Sequence, residues 1–155
     1  MKTQHPAALE RAERLCRDYV VLASLIRDLA SRADTGDWLI CDEAWDTFTR
    51  ALEGHLSFEE NELFPLYLAS DGADPLLVER ARAAHEEIRR DVMRLGVELQ
   101  LHVVRPHALR AFLESVRDRT GREVRALCDW AESRPDGGGL RALWSRATEV
   151  VSRAS

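Results

Sequence analysis

A chain of 155 residues with 45% apolar side chains is long enough to bury one core and short for two. Its 22 Lys and Arg against 27 Asp and Glu leave a net charge of -5, so no overall positive field exists to hold nucleic acid or anionic lipid. No apolar run reaches the length of a membrane span or a signal-peptide core, which makes the cytoplasm the expected location, and three cysteines without C-x-x-C spacing (Cys16, Cys41 and Cys128) argue for reduced, partly buried thiols over a disulfide framework or a zinc ribbon.

Apolar side chains recur with helical spacing along almost the whole chain and nowhere alternate as a strand requires. The first helix is expected from Pro6, suited to a first turn, to about Arg32, with Leu9, Ala12, Cys16, Tyr19, Ala23 and Ile26 inward. Gly36 marks the loop after it, and Asp42 is the expected N-cap of a second helix. Its inward row reads Trp45, Phe48, Leu52, His55, Glu59, Leu63 and Leu66, with a kink at Pro65. Asp74-Pro75 caps a third helix with Leu77, Ala81, His85, Ile88, Val92, Leu95 and Leu99 on one face. Pro106 opens a fourth, whose row is Leu109, Phe112 or Leu113, Val116, Arg119 or Thr120, Glu123, Leu127 and Trp130. The expected fold is all-α: an up-down-up-down four-helix bundle over residues 1–134, a Gly-rich linker at 135–139, and a short amphipathic C-terminal helix at 140–155 that packs on the bundle or across a dimer.

Polar groups interrupt the inward rows at Tyr19, at His55 and Glu59, at His85, and at Arg119 and Glu123. Each interruption falls near the middle of its helix, so an antiparallel bundle gathers them in one layer. Burying carboxylates and imidazoles is costly, and such a layer must be compensated by a metal, by ion pairs, or by both.

The run His55-Leu56-Ser57-Phe58-Glu59-Glu60-Asn61-Glu62-Leu63-Phe64-Pro65 resembles the second-helix signature of hemerythrin-like, or HHE cation-binding, domains, and Ala84-His85-Glu86-Glu87-Ile88-Arg89 resembles their third-helix histidine motif. His and Glu four apart share a helix face and can reach one ion together. The resemblance, over about residues 8 to 133, implies non-haem iron held between four helices, often as a carboxylate-bridged pair. It also implies a role in sensing or buffering iron, oxygen or a related small diatomic ligand, ahead of a redox enzyme that would use the iron with Cys16 or Tyr19. The family's first-helix histidine aligns with Tyr19, its fourth-helix H-x-x-x-E with Arg119-Thr120-Gly121-Arg122-Glu123, and a further third-helix histidine with Arg89. The implied metal ligands are therefore His55, Glu59, His85, Glu123 and Tyr19, with one or two irons, or zinc, left open.

Against this stands a metal-free helical interaction module, in which Arg119 and Arg89 pair with Glu59 and Glu123 and the layer becomes an Arg–carboxylate network. A protein partner or a second copy would then bind through the C-terminal helix. His5, His102 and His107 fall near helix ends, where solvated or capping roles prevail. Glu60, Glu62, Glu86 and Glu87 read as a solvated acidic face, with Glu60 or Glu86 placed to orient a ligand. The Glu-x-x-His pairs of ferritin-like proteins are absent, since Leu52 and Arg82 stand three residues before His55 and His85.

Overall fold

The computed structural model describes residues 5–133 and Glu149. Within them the protein is helical, with no strand among the described residues: α1 (His5–Ala33), α2 (Trp38–Phe58), a π-helical turn (Glu59–Leu63), α3 (Phe64–Leu68), α4 (Pro75–Gln100) and α5 (Pro106–Glu132). The π turn continues α2 into α3 without a break, giving four long helical runs. α1 packs on α2 and α5, and α4 on the same two helices. The expected linker at 135–139 and C-terminal helix at 140–155 lie outside the described residues, apart from Glu149.

The helix boundaries follow local chemistry. Asp74 caps α4 by accepting the Leu76 N–H at 3.0 Å, and Pro75 fills the first turn, where its missing N–H costs nothing. Pro106 does the same for α5. α2 starts earlier than the Asp42 cap suggests: the Cys41 N–H already bonds the Asp37 carbonyl at 3.0 Å, so Asp42 lies inside the helix.

The π turn is the largest departure from simple periodicity. The Phe64 N–H bonds the carbonyl of Glu59, five residues back, immediately before Pro65. Pro65 has no N–H to give, and its ring would crowd the carbonyl four residues earlier. A wider turn relieves that conflict, and helix continues on both sides of Pro65. The extra residue rotates the following face, so Leu63, Phe64 and Tyr67 are buried while Leu66 is only half-buried.

The core divides in two. One cluster joins Leu22, Ile26 and Leu29 of α1 with Phe48, Leu52 and Leu56 of α2, Ile88 and Leu95 of α4, and Leu113 and Val116 of α5. The other joins Leu15, Cys16 and Tyr19 of α1 with Phe58, Leu63, Phe64, Val78, Ala81, Val124, Leu127 and Cys128. On α2, α4 and α5 the switch from one cluster to the other falls at His55 to Glu59, at His85, and at Thr120 to Glu123. A polar layer thus separates two apolar ones.

Candidate metal centre

α2 carries His55 one turn before Glu59, and both point into this layer: His55 is 2% exposed, Glu59 and His85 are 0%. Nε2 of His55 lies 3.5 Å from Oε1 of Glu59. From α4, Nε2 of His85 lies 3.1 Å from Oε2 of Glu59 and 3.0 Å from Oε2 of Glu123, which α5 supplies. Ligand atoms of Glu59, His85 and Glu123 all fall within 4.8 Å of one another, the spacing one cation can bridge. Phe64, placed by the π turn, stacks on the His85 ring with centroids 5.8 Å apart and walls the site on that side.

The other nitrogen of His85 is held separately. Nδ1 is 2.7 Å from Oε1 of Glu60, and Arg89 grips the same carboxylate through Nη1 at 2.9 Å and Nη2 at 3.1 Å. Arg89 also bonds Glu53 through Nε and Nη2, each at 3.0 Å. With Nδ1–H donating to Glu60, Nε2 is the nitrogen turned to Glu59 and Glu123. A carboxylate behind a histidine is the usual device for fixing the tautomer of a metal ligand.

The charge states follow from burial and from these neighbours. Burial, helped by the nearby His85, lowers His55 to about 4, so it is neutral at pH 7. Burial raises Glu59 to about 8, with the nearby His85 opposing the rise and Glu123 adding to it. For His85 burial favours the neutral ring, yet the hydrogen bond to Glu123 and the neighbouring carboxyl of Glu59 prevail and push it up to about 10. Partial burial pulls Glu60 upward, but Arg89 and His85 more than offset this, and its carboxyl stands below the ordinary range.

Compensation within the layer is incomplete. The single Nε2 proton of His85 is directed at Glu123. Both ring nitrogens of His55 and both oxygens of Glu59 are buried without a hydrogen-bond partner. Such groups cost roughly 1–3 kcal/mol each when left unsatisfied. An electron-pair acceptor among them removes that cost, so the residues present fit a cation. A groove of about 600 Å³ between α4 and α5, lined by Ala81, Ala84, Arg119, Arg122 and Glu123 among others, leads from solvent to the Glu123 carboxylate.

The remaining sequence candidates fall outside this cluster of donors. Tyr19 is buried in the second apolar cluster, beside the layer, with its hydroxyl 3.5 Å from the Arg117 carbonyl. Burial raises its pKa above the ordinary phenol value. Arg119 departs from the inward row: Thr120 is the buried residue there, its hydroxyl bonding the Val116 carbonyl at 2.7 Å, while Arg119 reaches Glu87 at 2.9 Å on the half-exposed face. The expected Arg–carboxylate layer is corrected accordingly, since Arg89 pairs with Glu53, Glu60 and Glu86, and neither it nor Arg119 pairs with Glu59 or Glu123. Glu60, read as part of a solvated face or as a group that orients a ligand, is mostly covered and takes the second role at Nδ1 of His85. Glu53 escaped notice altogether, although its spacing of seven from Glu60 puts both on the helix face that meets Arg89.

No curated protein and no solved structure matches the chain. The family model described as Hemerythrin HHE cation binding domain matches residues 2–131, most of the chain and every residue of the polar layer. The protein therefore belongs to the hemerythrin HHE cation-binding domain family.

Proposed function

We propose that this protein holds non-haem iron in the layer formed by His55, Glu59, His85 and Glu123, with Tyr19 as a fifth ligand, and that it senses or buffers iron, oxygen or a related diatomic ligand. The observation that carries this reading is the pairing of two buried groups that make no hydrogen bond, His55 and Glu59, within the layer that holds the Glu59, His85 and Glu123 cluster. A mixed nitrogen and carboxylate set suits ferrous and ferric iron, and also zinc. Iron, when bound, supplies redox change and an affinity for small ligands. The chain's own residues supply the rest. Glu60 and Arg89 fix His85, Phe64 and the two apolar clusters keep water from the inner side, and the groove at Glu123 gives access.

The same reading includes an up-down-up-down arrangement of the four helical runs. Its support is the order in which each run meets the two apolar clusters. α1 and α4 pass from the Tyr19 cluster to the Leu52 cluster, while α2 and α5 pass the other way. A cytoplasmic location fits three buried thiols, and no described helix is long and apolar enough to cross a membrane.

A second reading has one observation in its favour. His85 sits among Glu59, Glu60 and Glu123 at 2.7 to 3.1 Å, and as an imidazolium it could anchor a metal-free layer that only fixes helix register in an interaction module. That reading leaves both ring nitrogens of His55 without a hydrogen-bond partner. Elemental analysis of protein purified without added metal separates the two. Iron at about one or two per chain supports the first; a protein that stays empty after anaerobic exposure to ferrous iron, and to zinc, supports the second.

A further inference from the structure

Cys16 on α1 and Cys128 on α5 are 112 residues apart in sequence, yet their sulfurs are 2.8 Å apart in the second apolar cluster. Both side chains are buried, and they face each other across the contact between α1 and α5. Two sulfurs at this distance are already inside ordinary van der Waals contact, so the pair is placed for a bond to form between them. Cys41 lies in the other cluster and does not compete.

We propose that Cys16 and Cys128 form a reversible disulfide that fastens α1 to α5, made by exchange with a low-molecular-weight disulfide. The inference stands on different residues from the metal centre and does not depend on it. Helix ends open most readily, and Cys128 lies one turn from the end of α5 at Glu132, so fraying of that turn gives a small disulfide access to the pair. Either thiol can donate to the other, and the contact with Cys128 holds the Cys16 thiol below its ordinary pKa, so Cys16 is taken as the attacking sulfur. Its thiolate attacks one sulfur of RSSR, forming a mixed disulfide and expelling RS⁻. Cys128 then loses its proton and attacks the Cys16 sulfur, expelling the second RS⁻. The two protein thiols lose two electrons and two protons, and RSSR is reduced to two RSH.

The test is thiol counting and peptide mapping on the full chain, reduced and then treated with oxidised glutathione. Denatured, the reduced protein should titrate with all 3 of its cysteines. After treatment only Cys41 should titrate, the intact mass should fall by about 2 Da with no glutathione retained, and digestion should join the Cys16 and Cys128 peptides. The thermal midpoint should rise by about 10 °C, because the bond closes a long loop in the unfolded chain, and dithiothreitol should reverse it. Cys41→Ser should behave as the wild type, while Cys16→Ser and Cys128→Ser should form no internal bond. Three thiols still titrating in the treated wild type, a crosslink that includes Cys41, or glutathione held on separate cysteines would each overturn the proposal; the wild-type measurement decides even where a serine variant folds poorly.

Discussion

Nε2 of His55 lies 3.5 Å from Oε1 of Glu59, one helical turn along the same helix, and neither group finds a hydrogen-bond partner in the core. A protein selected for stability alone would fill these positions with leucine. His55→Leu should therefore raise the stability of the metal-free protein, by about 1–3 kcal/mol, by removing an unsatisfied buried ring. It should also lower metal content. Chemical denaturation of chelated protein, run beside elemental analysis, checks both, and a variant that loses stability while keeping its metal would contradict the role given to His55.

The protonation of the layer sets a pH dependence with a definite sign. Glu59 and His85 are raised on folding, to about 8 and about 10, so each contributes stability that is fully present below its unfolded pKa and is lost as pH rises through the folded one. His55 is lowered to about 4, so its contribution is present above about 6.5 and is lost as pH falls towards 4. Metal-free protein should be most stable near pH 5 to 6.5, and should weaken from there towards pH 9. Metal binding works against the same protons, because Nε2 of His85 and the carboxyl of Glu59 must both be free to ligate. Apparent metal affinity should therefore climb with pH between about 6 and 8. Denaturation and metal titrations across this range test the two halves separately.

Arg89 and Arg119 look alike in the sequence, each standing where the family places a histidine, but they differ in what they hold. Arg89 grips Glu60, which grips His85; Arg119 reaches only Glu87, at the half-exposed surface. Arg89→Ala should loosen the orientation of His85 and weaken metal binding by about 10- to 100-fold. Arg119→Ala should leave metal content unchanged and stability within about 0.5 kcal/mol, since exposed ion pairs contribute little. Equal effects of the two substitutions on metal affinity would count against a positioning role for Arg89.

How far the sequence carried these conclusions depends on the residue. Helical spacing was enough for the four long runs and most of the buried positions, and the spacing of four between His55 and Glu59 was enough to put both in the core. The Asp74-Pro75 cap was equally plain, because its chemistry is local. The π turn was not: a proline at 65 announces a disturbed helix, but the spacing does not say how wide a turn accommodates it. Arg119 against Thr120 was undecided for a similar reason. Neighbouring residues on α5 point 100° apart, and only the presence of Glu87 on the facing helix favours the outward guanidinium. The partnership of Cys16 with Cys128 was hidden, since it depends on the depth at which α1 and α5 meet.

Tyr19 is the least conventional of the proposed ligands, and the geometry around it gives a sharp test. A Cβ added at Gly121 would sit 2.8 Å from the Tyr19 hydroxyl, so the phenol occupies space that only glycine leaves. Its burial disfavours the phenolate in the metal-free protein. A ferric ion reverses that preference, because a bound cation stabilises the deprotonated form far more than burial opposes it. Oxidised, iron-loaded protein should then carry a broad visible tyrosinate-to-iron charge-transfer band that bleaches on reduction. Tyr19→Phe should abolish the band while leaving most of the iron on His55, Glu59, His85 and Glu123. Gly121→Ala should push the ring aside and shift or weaken the band without touching any other ligand. A band that survives Tyr19→Phe, or an iron-loaded wild type without one, would make Tyr19 a core residue beside a site completed by water.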